Sequence, residues 1–215
     1  MLGRSFYNDP VTASDVTPRR GRPRAFDREA AVAAATRLFW ERGYEATSIS
    51  DLTEAMGIRS GSLYAAFGDK PALFREALAA YGAAPYGDFV ARAFAEETTA
   101  FGAVARMLRE AARIFPDPSH PAGCMTINAA TNVSPANAEI QNLLREQRNA
   151  NLKTMTERLH AGQRAGELPP SADPAALAAY YAAVFQGMSH RARDGASESE
   201  LLLTAELALS AWPGS

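Results

Sequence analysis

From Asp27 onward, apolar residues recur three and four positions apart, the spacing of one buried face of an α-helix. Ala31, Ala34, Ala35, Leu38 and Phe39 predict a first helix, capped by Asp27 and stopped near Gly43. The segment SISD at 48–51 has the capping-box pattern. Ser48 serves the first orphan N–H groups and Asp51 reaches back. A second, short helix then runs to about Met56 with Ile49, Leu52 and Ala55 inward, and Gly57 breaks it. A third occupies 60–67 and buries Leu63 and Phe67. Asp69 caps a fourth, running to about Tyr81, with Pro71 in the first turn, where its missing N–H does no harm.

The helical pattern continues to the end of the chain. Segment 101–115 is amphipathic, 116–123 is a loop with three prolines, and 124–132 is short and rather apolar. The longest helical stretch is 136–166, ended by Gly166 and the Pro169-Pro170 pair. Segment 173–195 opens on a capping Asp173 followed by Pro174. Segment 197–212 opens on a second capping box, Ser197 with Glu200. No strand-like alternation and no internal repeat occurs, so the fold class is all-α. Residues 1–18 lack periodicity and are expected to be disordered.

Two short helices joined by a glycine-containing turn form the helix-turn-helix layout. Here Leu52, Met56, Ile58 and Leu63 hold them at a steep angle, leaving the outer face of the third helix for a DNA major groove. The residue types on that face fit the task. Ser60 and Ser62 donate to phosphates or base edges, and Tyr64 pairs its hydroxyl with a phosphate while its ring packs. Gly61 lets backbone come close, at a helix cost of about 1 kcal/mol relative to Ala. Lys70 lies at the N-terminus of the fourth helix, and Ser48 at that of the second. Both are places where backbone N–H groups attract anions.

Composition supports this direction only locally. The formal net charge is −2, yet TPRRGRPRAF at 17–26 holds Arg19, Arg20, Arg22 and Arg24 and no acid. Such an arm fits an adjacent minor groove. With 215 residues and 47% hydrophobic content, the chain has material for a real core. No apolar run approaches the roughly 20 residues of a membrane span, and the N-terminus lacks the apolar segment of a secretory signal. The single cysteine, Cys124, fits a reducing, cytoplasmic setting and excludes zinc sites built on cysteine pairs. Enzyme signatures are missing: there is no Gly-flanked nucleophile, no Glu-x-x-His pair and no phosphate loop.

The stretch AAATRLFWERGYEATSISDLTEAMGIRSGSLYAAFGDKPALFREAL, residues 33–78, resembles the DNA-binding domain of the TetR/AcrR family of transcriptional repressors. On that resemblance Ser48, Ser60, Gly61, Ser62, Tyr64 and Lys70 occupy the family's DNA-contact positions, with Thr47 and Arg59 flanking them. GCMTINAATN and DPAALAAYYAAVFQGMSHRARDGASESELL look like C-terminal domains within the family, including a subgroup with a copper-responsive member. The implied organisation is a basic extension over 1–26, a helix-turn-helix domain over 27–80, and a helical ligand-binding and dimerisation domain over 81–215.

That second domain has room for a ligand pocket between helices. Its candidate lining is Phe101, Met107, Cys124, Met125, Asn128, Tyr181 and Phe185, each also an ordinary core residue type. The last two helices carry two stripes, Leu177, Tyr181, Val184, Phe185 and Met188 on one, and Leu201, Leu202, Ala205, Ala208, Leu209 and Trp212 on the other. Across a two-fold axis these would build a four-helix dimer contact. The reading is a homodimeric repressor of palindromic double-stranded operator DNA, with no cofactor, released by a small-molecule effector. Three other switches stay open. They are a soft metal at Cys124 with His120 nearby, oxidation of the Cys124 thiol, and a protein partner.

Overall fold

The computed structural model describes residues 27–130 and 132–214. The basic arm, with Arg22 and Arg24, lies outside them. The described residues form ten α-helices and one 3₁₀ turn, with no strand among them.

The first helix, α1 (Arg28–Arg42), starts where Asp27 Oδ1 accepts the Ala30 N–H at 3.1 Å, and stops at Gly43. In α2 (Ile49–Met56) the capping box is complete: Ser48 Oγ accepts the Asp51 N–H, and Asp51 Oδ2 accepts the Ser48 N–H. Gly57 takes the left-handed conformation, φ 65°, which L side chains adopt only with strain. That residue redirects the chain into α3 (Ser60–Phe67). Asp69 Oδ1 then accepts the Ala72 N–H at 2.7 Å and opens α4 (Lys70–Ala83).

These four helices close over one apolar cluster that includes Phe39, Leu52, Leu63, Phe67, Leu73 and Phe74. Burying each such side chain stabilises the fold by roughly 1.5–3 kcal/mol. Ala55, expected to face inward, is exposed. An eight-residue helix has one apolar stripe, and Leu52 and Met56 already occupy it.

The remainder contains α5 (Pro85–Glu96), α6 (Ala100–Ile114), α7 (Met125–Asn128), a 3₁₀ turn (Pro135–Asn137), α8 (Ala138–Arg164), α9 (Pro174–Arg193) and α10 (Glu198–Leu209). Helix α6 is the central one. It packs against α5, α8, α9 and α10, and its alanines allow close approach. Helix α8 starts two residues later than the sequence pattern implied, because Pro135 supports a 3₁₀ turn first.

One correction concerns the last two helices. Tyr181, Met188, Leu201, Ala205, Ala208, Leu209 and Trp212, placed in the stripes expected to pair across a two-fold axis, are buried in this chain's own core. Leu177, Val184, Phe185 and Leu202 of the same stripes are only partly buried, and the large apolar residues left exposed on α9 and α10 are Tyr180, Leu203 and Leu207, the last two 67% and 72% exposed.

Candidate nucleic-acid interface and effector cavity

Helix α3 buries Leu63 and Phe67 and turns Ser60, Gly61, Ser62 and Tyr64 outward. Tyr64 is half exposed, so its ring is packed at most in part. A Cβ built on Gly61 meets nothing within 4 Å. The chain's own packing therefore does not require glycine there. Arg59, the residue before α3, is exposed and caps nothing with its side chain.

The flanking candidates are more engaged. Thr47 is fully buried, and its hydroxyl donates to the Gly43 carbonyl at 2.7 Å. That bond closes the α1–α2 turn and leaves Thr47 inside rather than on the outer face. Ser48 is exposed, but its hydroxyl is held in the capping box with Asp51. Those bonds from Ser48, with Arg42 3.2 Å from the carboxylate, hold Asp51 below its ordinary pKa. The Lys70 ammonium sits 4.1 Å from the centre of the Tyr44 ring. Burial lowers its pKa, with Glu45 and Asp51 pulling the other way. Lys70 is thus a positioned cation at the start of α4.

The seven effector candidates do not converge. Met107, Cys124 and Phe185 line one cavity of about 60 Å³, together with Val90, Ile127, Leu152 and Met155. Thr126, Arg148, Asn151 and Gln186 are its polar lining. Phe101 is elsewhere, packed edge-on against Trp212. Met125 is fully buried in the cluster under α1 and α4. The Tyr181 hydroxyl donates to the Ala208 carbonyl, and burial pushes its pKa up to about 12. Asn128 spends its amide on the Ala122 carbonyl and accepts from the Ser189 hydroxyl. It borders a separate cleft of about 420 Å³ beside Arg42, Glu45 and Arg193.

Arg148, Leu152 and Met155 had no sequence signal. They lie in a long polar helix whose charges look like a solvated face until α9 is placed against it.

His120 and Cys124 are used differently. The His120 ring stacks on Trp40 at 4.6 Å, with Nδ1 3.0 Å from the Pro121 carbonyl oxygen. Cys124 borders the cavity and lies near the Tyr81 hydroxyl, whose pKa is raised by burial and by that thiol. Among the described residues no three His, Cys, Asp or Glu side chains gather as metal ligands would. No described helix is long and apolar enough to cross a membrane.

Residues 31–77 match the family described as bacterial regulatory proteins, tetR family. Residues 100–201 match the tetracyclin repressor-like C-terminal domain. The chain is 40% identical over 198 residues to the HTH-type transcriptional repressor ComR of Escherichia coli (strain K12), covering 92% of this chain and 94% of that protein. The chain belongs to the TetR family. The HTH-type transcriptional repressor BdcR of the same strain is 31% identical over 191 residues, covering 87% of this chain and 90% of that protein.

Among solved structures, a cysteine mutant of the TetR-family regulator CifR, complexed with 26-base-pair double-strand operator DNA, superposes with a TM-score of 0.84. It is 40% identical, covering 90% of this chain and all of that one. This TetR-family chain is accordingly a DNA-binding transcriptional repressor and not an enzyme.

Proposed function

We propose that the chain acts as a homodimer on palindromic double-stranded operator DNA and is released by a small organic molecule bound in the cavity beside Cys124. The observation that carries this reading is the placement of α7. On one side Cys124, Thr126 and Ile127 line the cavity. On the other, Met125 and Ala129 are part of the apolar cluster that holds α1, α3 and α4 together. One short segment is therefore a wall of both compartments. A molecule that moves it also moves the helices that carry α3. This packed route adds to the covalent one, in which the chain leaves the DNA-binding helices through α4.

The DNA-facing set is Ser60, Gly61, Ser62 and Tyr64 on α3, with Arg59 before it, Ser48 and Lys70 at neighbouring helix starts, and the arm with Arg22 and Arg24. The DNA-binding unit ends at about residue 80, and the remainder binds the effector and dimerises. The dimer contact uses the uncovered Tyr180, Leu203 and Leu207. An organic effector is favoured over a metal because His120 is turned into an aromatic stack with Trp40 and Tyr86, whereas Cys124 faces a largely apolar cavity.

The experiment is selection of bound duplexes from random DNA, followed by titration of the selected operator with and without candidate effectors. The expected result is an inverted repeat bound by two chains and loosened about 5- to 150-fold by effector. A single chain per site, or no releasing molecule, would defeat the reading. Release lost in Cys124→Ser, with cavity binding intact, would transfer the switch to the thiol.

A further inference from the structure

We propose that the cavity is built for a short-chain organic acid, with its carboxylate on Arg148 and its hydrocarbon end against Met107, Leu152, Met155 and Phe185. This names the class of effector and rests on the ligand-release reading above.

Three observations converge. The first is the lining. Val90, Met107, Ile127, Leu152, Met155 and Phe185 make it mostly apolar, and Arg148 is the only residue of the lining that carries a charge. Exposed Asn151 and Gln186 mark the rim on the solvent side.

The second is what Arg148 lacks. Among the half-buried arginines of the described residues, Arg92, Arg106 and Arg109 each pair with a carboxylate, Arg158 bonds the Glu97 carbonyl, and only Arg148 lines the cavity. Arg148 is half-buried with no carboxylate partner; its one hydrogen bond is a long one, from Nη1 to the Thr126 carbonyl at 3.4 Å. A guanidinium has five N–H donors in a planar fork that matches a carboxylate in two-point fashion. Burial and the like charge of Arg145 act against the charged form and lower its pKa, with Cys124 pulling the other way. Arginine nevertheless stays protonated. A bound anion offsets both penalties, and a cation adds to them. A multiply charged phosphate would need more donors than one fork and apolar walls provide.

The third is size. At ~10–15 Å³ for each water-sized occupant, about 60 Å³ holds about four to six non-hydrogen atoms. Butyrate has that size, with a tail long enough to reach the apolar wall.

The test is calorimetric titration of the full chain with butyrate and with butyramide, its neutral isostere, in acetate-free buffer. Butyrate should bind at least about tenfold more tightly, the effect of hydrogen bonds to a charged group. Arg148→Gln should erase the preference and Arg148→Lys should keep part of it. Met155→Trp, which fills the cavity but leaves Arg148 in place, should abolish binding. Thermal melts confirm that each variant is folded. Equal affinity for acid and amide overturns the proposal. So does unchanged butyrate affinity in Arg148→Gln or Met155→Trp.

Release of the selected operator is measured in parallel. Butyrate held in the cavity without loosening DNA upholds the site and defeats the ligand-release reading. A neutral molecule that releases DNA while butyrate does not bind upholds that reading and overturns the anion site.

Discussion

The indole N–H of Trp40, at the end of α1, donates to the backbone carbonyl of Gly123 at 3.1 Å. It ties the DNA-binding helices to the segment that begins α7. The next residue on that segment is equally held, since the Cys124 N–H donates to the Ser189 hydroxyl of α9 at 2.8 Å. Gly123 itself has φ 78°, and a Cβ there would stand 2.7 Å from the Ser189 carbonyl oxygen. The cavity wall is thus pinned to α1 on one side and to α9 on the other.

Trp40→Phe removes the donor and leaves the Gly123 carbonyl buried without it. The loss should be about 1–3 kcal/mol, read as a lower melting temperature. The unliganded variant should still bind operator DNA, but an effector should release it less well. Full release in a destabilised Trp40→Phe protein would show that this hydrogen bond carries no signal.

Gly61→Ala should separate stability from function. Nothing lies within 4 Å of the added methyl group, and Ala is preferred over Gly in a helix. The fold should gain about 0.5–1 kcal/mol. Operator affinity should fall, because the methyl group stands where DNA backbone approaches. Melting curves and fluorescence anisotropy on the same preparations decide it. A gain in both would remove Gly61 from the interface.

The dimer contact makes a paired prediction. Leu203→Glu and Leu207→Glu change exposed positions, and should give folded monomers with unchanged helicity. Leu201→Glu places a charge at a fully buried position and should unfold the chain. Light scattering after gel filtration, with circular dichroism, separates these outcomes. Folded dimers in both exposed-site variants would place the contact elsewhere.

Acid stability should depend on the cap of α2. The folded-state pKa of Asp51 lies below the ordinary 3.8, through its bonds to Ser48. The associated stability is present above pH 3.8 and is lost as pH falls through the folded-state pKa. Asp51→Asn should therefore lower the melting temperature at pH 7, and the gap to the unmodified protein should close as pH falls through the folded-state pKa of Asp51. Parallel melting curves at every pH would exclude this contribution.

Much of the helical order was legible because its signals are local. Asp27, Ser48, Asp69, Asp173 and Ser197 each bond to backbone within three residues, and Gly43 and Gly57 stop helices through their own backbone conformations. The outer face of α3 was legible for the same reason: eight residues with two apolar anchors leave their other positions outward. What the chain alone could not decide were choices between faces that are equally apolar or equally polar. Leu201 and Leu203 differ by two positions on an apolar helix, and only the placement of α6 buries one and leaves the other out. Thr47 reads as a polar flank until the α1–α2 turn closes over it. Arg148 reads as a solvated charge until α7 and α9 enclose it beside Cys124. Local hydrogen bonds are set by residues a few positions apart. A cavity and a subunit contact are set by which helices meet, and that is a property of the packed chain.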